Sequence, residues 1–182
     1  MLVISTFLVL TVLTAEPAQS RKPVIDSPIV ADPYNMPSTL EGLIDRADAV
    51  VIARIKRARD VSAQQARTDY EIQLVETIKA HQELTASPVV CRAIGTVEKP
   101  NRIVRVFQPN FPGFQPGAEY LLFLGWDETK RCFYPDFGAA GSALMDGVDG
   151  LKPFVPHPAI GALKGFQRAD AVRSLNAARK LR

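Results

Sequence analysis

Hydrophobic and polar positions alternate along much of this chain, and one stretch has no polar face at all. Residues 120–126, Tyr-Leu-Leu-Phe-Leu-Gly-Trp, follow a Pro-Gly turn and contain no charged side chain. A strand of this composition is buried on both faces, as in the middle of a closed or doubly packed sheet. The pattern therefore predicts a core strand here, and the rest of the fold is expected to be organised around it.

Two longer segments show the period of two that is typical of strands. Residues 49–59 begin apolar on both faces and end alternating, whereas residues 68–80 alternate cleanly from their start. The alternation in the second segment slips by one residue at Val75-Glu76. Such a slip predicts a β-bulge, and bulges bend strands in barrels. Shorter strands are predicted at residues 89–94, 102–108 and 131–134, with a turn of the chain at residues 95–101.

Two segments carry helix signals. Ser38 and Glu41 have the spacing of a capping box, which predicts a short helix that ends near Ala47. Residues 159–182 place apolar side chains at steps of three and four residues, which predicts an amphipathic C-terminal helix. The predicted apolar face of this helix consists of Leu163, Phe166, Ala169, Val172 and Leu175, with Arg168, Arg173, Arg179 and Lys180 outward.

The other segments are rich in turn residues. Residues 138–158 contain two Asp-Gly dipeptides, which predict a short hairpin. Residues 21–37 hold four prolines and little periodicity, which predicts an extended tether with no fold of its own. These patterns together predict a mainly β domain over residues 38–158, followed by the helix of residues 159–182.

The N-terminal residues have the character of a targeting segment. Residues 1–15 are almost wholly apolar, and Ala18-Gln19-Ser20 has the small-x-small form of a signal-peptidase site. We interpret residues 1–20 as a cleaved export signal, which predicts a secreted or periplasmic protein without a stable membrane span in its mature chain. An uncleaved anchor is disfavoured because the apolar stretch is too short to cross a bilayer. A buried N-terminal strand or helix is the other alternative.

The net charge bears on the class of partner. Removal of residues 1–20 takes away Glu16 and no basic residue, so the formal charge rises from +3 to +4. Apart from a basic run at residues 54–59 and the C-terminal tail, the basic residues are scattered. A modest, dispersed charge is typical of solubility rather than of nucleic-acid binding, so no nucleic-acid partner is predicted. The basic run could face an anionic polymer or lipid head groups, but a solvated strand end explains it as well.

The two cysteines, Cys91 and Cys132, both lie in strand-like surroundings. In an oxidising compartment an even pair of this kind predicts one disulfide. Two buried free thiols are the alternative. Neither cysteine has a histidine or a second cysteine at metal-binding spacing, so no metal site is predicted.

The order of these signals resembles a known superfamily. The Val-Ile-Ala-Arg-Ile strand, the Thr-Asp-Tyr-Glu-Ile-Gln-Leu-Val-Glu-Thr-Ile-Lys strand and the Phe-Gln-Pro-Gly-Ala-Glu-Tyr-Leu-Leu-Phe-Leu segment are similar to exported bacterial proteins of the TIMP-like (netrin-module) OB-fold superfamily. The resemblance covers roughly residues 38–153. It implies an OB-like five-stranded Greek-key barrel with a short N-terminal helix and a C-terminal amphipathic helix. For most bacterial members it implies no assigned function.

The metalloproteinase inhibitors of that superfamily bind the zinc of their target through an N-terminal cysteine. In this chain the predicted mature N-terminus is Arg21, and no cysteine precedes Cys91. The residue that carries the inhibitory chemistry is therefore missing, and inhibition by zinc chelation is not implied.

Familiar catalytic arrangements find little support in the sequence. The two histidines, His81 and His157, lie in polar or Pro-flanked loops without a nucleophile motif nearby, and we interpret both as solvated loop residues. The acidic pairs Glu71/Glu76 and Asp146/Asp149 are better explained by strand faces and turns than by acid-base or calcium chemistry. The sequence therefore predicts no catalytic residue and no cofactor.

Aromatic residues give the most suggestive binding signal. Phe107, Phe111 and Phe114 punctuate the Pro-rich loop of residues 107–117, and exposed aromatic rings on a rigid loop make good anchors for a partner. The alternative is that these rings fold back and plug the mouth of a barrel. The leading functional hypothesis is an exported, non-enzymatic module that binds a protein or cell-envelope component through this loop. The alternatives are an inhibitor of an exported hydrolase that acts by loop insertion and, more weakly, an enzyme that uses carboxylates.

Overall fold

The computed structural model describes residues 22–29, 36–61, 64–85 and 87–180. The predicted export signal, residues 1–20, lies outside the described residues. In chain order the described elements are β1 (Val24–Pro28), α1 (Leu40–Arg46), β2 (Ala49–Asp60), β3 (Thr68–Lys79), β4 (Val89–Arg92), β5 (Gly95–Lys99), β6 (Arg102–Phe107), β7 (Glu119–Asp127), β8 (Cys132–Pro135), β9 (Ser142–Asp146), β10 (Gly150–Pro153), α2 (Pro158–Gly161) and α3 (Arg168–Lys180).

Five strands close into a barrel in the order β2-β3-β4-β8-β7, with β7 returning to β2. All the pairings are antiparallel except that of β4 with β8, which is parallel and consists of the single pair Val90 and Phe133. We refer to this short junction as the seam. The order and the parallel seam are those of an OB-like Greek-key barrel, so the predicted fold class is confirmed.

The uncharged core strand is β7, and its two faces are covered by different parts of the protein. Tyr120, Leu122 and Leu124 point into the barrel interior with Val51, Ile55, Ile72 and other buried side chains. Leu121 and Phe123 point outward into a second core formed with the helices and the β9–β10 hairpin. Because both faces are buried, the run tolerates no charge, and the prediction from composition is confirmed.

The two long strands β2 and β3 carry the bend of the barrel. Their register shifts by one residue at three places, one of them opposite Ile52 and Ala53, where Val75 is the extra residue of β3. This is the bulge that the parity slip predicts. At the other two shifts the extra residues are Ile78 and Lys56. The sequence does not predict these shifts, because the alternation of apolar and polar residues around them shows no clear slip.

Both helical predictions need correction in detail. The N-cap of α1 is Thr39, whose hydroxyl accepts a hydrogen bond from the backbone N–H of Gly42, so the predicted Ser38–Glu41 capping box does not form. The C-terminal region is not one helix. It consists of α2 and α3, separated by residues 162–167, and the buried residues of α3 are Ala171, Leu175 and Ala178, whereas Ala169 is exposed.

A small second sheet, of order β1-β6-β5, corrects two further predictions. Within the segment predicted to be an unstructured tether, β1 pairs in parallel with β6 over five residues, although all five are exposed. The predicted turn at residues 95–101 is instead mostly β5, which forms a hairpin with β6. The sequence pattern did not predict β1 or β5, because each is short, polar or flanked by proline. Both strands are formed through their pairing with β6.

Two further predictions, the hairpin after residue 138 and the disulfide, are confirmed. β9 and β10 form the hairpin signalled by the Asp-Gly dipeptides. Cys91 and Cys132 form a disulfide with a Cα–Cα distance of 6.0 Å. The disulfide joins β4 to β8, and so lies at the seam of the barrel.

Candidate functional site

A groove of about 920 Å³ lies along the seam side of the barrel. The β2–β3 connection contributes Val61 and residues 64–67, the end of β4 contributes residues 91–94, and the β7–β8 region contributes residues 126–128 and Lys130. In OB-type barrels the loops between the first two and the last two strands flank the surface that takes ligands. The β2–β3 and β7–β8 connections hold those two positions here.

The wall of this groove contains a buried arginine. Arg92, at the end of β4, is only 8% exposed. The carbon of its guanidinium lies 3.6 Å from the centre of the Phe111 ring and 5.6 Å from that of Phe114. One of its terminal nitrogens, Nη2, donates to the Oε1 atom of Gln108. Among the residues that the structure describes, no carboxylate pairs with Arg92.

Burial without a counter-charge changes the acid-base behaviour of this group. Desolvation lowers the pKa of Arg92 to about 10, although Tyr70 opposes the shift. The guanidinium therefore keeps its positive charge at neutral pH. The other terminal nitrogen, Nη1, is buried and has no hydrogen-bond acceptor among the described residues.

A second donor in the groove is also unsatisfied. Trp126, near the end of β7, packs against Phe133 with 4.8 Å between ring centres. His81 lies 5.8 Å from each of these two rings. The indole Nε1 atom of Trp126 is buried, and no acceptor for it exists in the described part of the chain.

Two pairs of charged side chains lie at the rim, beside the exposed Glu128. Arg67 forms a bidentate ion pair with Asp69, at 2.6 and 3.1 Å. Lys130 donates to Asp127 at 2.7 Å, and its hydrogen bond is the main reason that the pKa of this carboxyl is lowered. The carboxylate of Asp127 is therefore a weak base, which suits a fixed rim charge better than proton transfer.

The three aromatic residues of the Pro-rich loop do not share one environment. Phe111 and Phe114 are 7% and 4% exposed, and they pack edge-on against each other inside the barrel end with Tyr70, Tyr120 and Phe154. The expectation of exposed rings is wrong for these two, and the plugging alternative describes them. Only Phe107, at 36%, is exposed.

The rings turn inward because the barrel end is otherwise open. The interior contains small residues such as Ala49 and Ala53, so large rings from a loop are needed to fill the space. The two phenylalanines also supply the platform on which the Arg92 guanidinium rests. They act in the groove as supports beneath a charge and not as exposed anchors.

The histidines and the acidic pairs singled out from the sequence lie in different surroundings from one another. His81 and His157 are half-buried rather than solvated, and burial lowers the pKa of His157. Glu71 pairs with Arg57, and Asp146 pairs with Lys152. Over the described ranges, no three His, Cys, Asp or Glu residues lie close enough together to hold a metal ion.

Arg92 is the functional candidate that sequence reasoning missed. The available signal was a charged residue at the end of the short apolar strand Val89–Arg92, next to a cysteine. That signal is weak, since strands commonly end in a charged residue. The aromatic rings that contact Arg92, Phe111 and Phe114, lie about twenty residues further along the chain. No sequence pattern near Arg92 predicts this contact.

Searches against protein-family models and against curated proteins give no match for this chain. The resemblance to the TIMP-like superfamily therefore stays a prediction. None of the helices in the described ranges combines the length and apolar character needed to cross a membrane.

Proposed function

We propose that this protein is an exported, non-enzymatic binding module that takes up part of a protein or cell-envelope component in the groove beside the seam. The observation that carries the proposal is the guanidinium of Arg92, which lines the groove, is only 8% exposed and has no carboxylate partner among the described residues. Buried charges in folded proteins are normally paired, so an unpaired one in the wall of a groove marks a place for an anionic group of a partner.

The position of the groove supports the same conclusion. It lies between the two connections that flank ligand surfaces in OB-type barrels, and its wall combines apolar side chains with a few polar groups. Its carboxylate Asp127 is bonded to Lys130, whereas the second lining carboxylate, Glu128, is exposed at the rim. The disulfide Cys91–Cys132 at the seam agrees with a protein that works in an oxidising compartment.

Site-specific photocrosslinking tests this proposal. A photoreactive phenylalanine analogue at Tyr134, which lines the groove and is 37% exposed, is expected to give a discrete adduct in the cells that produce the protein. The matched control is the same analogue at Val148, which is 84% exposed and does not line the groove. Adducts in equal yield from both positions, or from neither, would contradict the proposed site. A captured partner that is cleaved or chemically modified by the protein would contradict a purely binding role.

A further inference from the structure

The unsatisfied donors are concentrated in the groove. Among the described residues, three buried side-chain nitrogens have no acceptor, and two of them belong to Arg92 and Trp126 in the groove wall. The third, on His157, lies elsewhere. An unsatisfied buried donor destabilises a protein, and it does so more strongly when it is charged. Both atoms are buried in the wall, so the feature that a ligand in the groove can meet is the uncompensated charge of Arg92.

The guanidinium is already held in place for such a ligand. Phe111 supports one face of it at 3.6 Å, and Gln108 accepts from Nη2, so rotation of the planar group is restricted. Gly138 leaves the space that the Gln108 amide occupies, since a β-carbon there would lie 2.7 Å from the amide nitrogen. A guanidinium fixed in advance loses little entropy when it binds an acceptor.

Most charges around the groove are paired, and Glu128, the lining carboxylate outside these pairs, is exposed to solvent. Asp127 is matched by Lys130, and Arg67 is matched by Asp69. Arg92 is the buried charge that the described residues leave uncompensated. Beside it, the wall presents the apolar or aromatic side chains of Val61, Ile94 and Trp126. One positive charge next to an apolar wall fits an organic monoanion better than a doubly charged phosphate.

From this arrangement we infer that the groove binds a carboxylate attached to an apolar or aromatic body, and that Arg92 is the residue that pairs with the carboxylate. A guanidinium presents its N–H groups as a planar fork that matches a carboxylate in two parallel hydrogen bonds. The carboxylate that we expect is the C-terminus of a protein or peptide partner, and a free organic acid is the other outcome that the test separates. This inference rests on the proposed function, because it names the ligand class of the same groove.

The single tryptophan of the chain gives a direct measurement of binding. The indole N–H resonance of Trp126 is unique in the NMR spectrum, and it reports on the groove wall. We expect 3-phenylpropionate to shift this resonance saturably. Its neutral amide is expected to bind with an affinity lower by about tenfold or more, because one hydrogen bond to a charged group is lost. A capped dipeptide ending in free phenylalanine, compared with its C-terminal amide, distinguishes a peptide source from a small acid.

Variants assign the effect to Arg92. R92M is expected to lower the affinity for the acid by about tenfold and to leave the weak affinity for the amide unchanged. R57M is the matched control, since Arg57 is an exposed guanidinium paired with Glu71 outside the groove, and its affinity is expected to equal that of the wild type. The comparison of acid with amide on the wild type requires no variant to fold.

Three results would overturn the inference. Equal affinity of acid and amide would show that the groove does not select a carboxylate, while leaving the groove itself as a binding site. Inorganic phosphate acting as strongly as phenylpropionate would replace the carboxylate by a general anion. If no acid shifted the Trp126 resonance, the groove would not bind carboxylates with an apolar or aromatic body. The proposed function fails separately, if photocrosslinking at Tyr134 gives no specific adduct.

Discussion

At the scale of single residues, the least expected feature is a charged guanidinium enclosed by aromatic rings. Phe111 attracts the cation through its ring face, and such a contact contributes about 1 kcal/mol. Desolvation acts in the opposite direction, as the lowering of the Arg92 pKa to about 10 shows. The shift from 12.5 to about 10 corresponds to roughly 3 kcal/mol, which exceeds the contribution of the ring contact, so Arg92 adds no net stability to the fold.

We therefore predict that R92M has a free energy of unfolding no more than about 1 kcal/mol below that of the wild type, and that it can exceed it. The reason is that the flexible apolar side chain of methionine keeps contact with Phe111. Urea denaturation followed by Trp126 fluorescence measures the change. V90A, two residues away on the same strand and fully buried in the wild type, is expected to lose about 2 kcal/mol and serves as the comparison. A loss in R92M as large as in V90A would identify the guanidinium as a structural group.

At the scale of elements, the β9–β10 hairpin shows how a short turn docks the C-terminal region. Gly150 opens β10 with a φ of +75°, and a β-carbon there would lie 2.6 Å from the carbonyl carbon of Gly165. Leu151 then exchanges backbone hydrogen bonds with Phe166 and Gly165. Glycine is required at position 150 because of both the backbone conformation and the close approach of another backbone.

The G150A variant is accordingly expected to lose at least about 2 kcal/mol of stability, of which about 1 arises from the positive φ and the rest from the displaced backbone. G147A, in the same hairpin turn with no atom within 4 Å of the added carbon, is expected to change stability by less than about 0.5 kcal/mol. Thermal and urea unfolding of the two variants side by side provide the measurement. Equal behaviour of the two would show that the backbone contact is not rigid.

The same hairpin carries a pH-dependent contribution. Asp146 accepts from Lys152 and from the backbone N–H groups of Val148 and Asp149, and these bonds lower its pKa from an ordinary 3.8 to about 2. A carboxyl with a lowered folded-state pKa stabilises the fold above its unfolded pKa. That stabilisation is lost as the pH falls towards the folded value.

D146N is therefore expected to be less stable than the wild type at pH 7, with a difference that shrinks between pH 4 and pH 2. Free energies of unfolding in urea at pH 7, 4 and 2 give the comparison. A difference that stays constant across this range would mean that the Lys152 contact does not depend on the charge of Asp146.

At the scale of the whole molecule, the barrel is closed at its weakest point by a covalent bond. β4 and β8 share one residue pair, and the Cys91–Cys132 disulfide spans this seam with 41 residues of sequence separation. On the opposite side, Glu119 receives Arg54 of β2 at 2.6 Å and Arg168 of α3 at 2.5 Å, and so ties the C-terminal helix to the barrel. Closure thus depends on contacts between distant parts of the chain.

Replacement of both cysteines, C91S with C132S, is predicted to lower the free energy of unfolding by roughly 4 kcal/mol, the value expected for a loop of about forty residues. Chemical denaturation with and without a thiol reductant measures this loss. The reductant is expected to destabilise the wild type and to leave the double variant unchanged. If the double variant kept the stability of the oxidised wild type, the short pairing at the seam would be sufficient to close the barrel.

The positions predicted correctly from sequence are those where local pattern and final environment coincide. The uncharged run of β7, the parity slip at Val75 and the Asp-Gly turns each record a local requirement: burial on both faces, an extra residue in a strand, a tight reversal. The disulfide was predictable because only one pairing of two cysteines exists within the chain. The exact cap of α1 was not, since Ser38 and Thr39 are adjacent and both suit an N-cap.

The amino-acid sequence by itself determined that β2, β3 and β7 are strands and that β7 must be buried on both faces, because side-chain periodicity is a local property. Only the tertiary structure decided that Phe111 and Phe114 turn inward, that β1 finds a partner in β6, and that Arg92 rests on the inward rings beside an open groove. These outcomes depend on the space left at the barrel end and on which strands meet at the seam. They arise between residues far apart in the chain, so no window of sequence contains them.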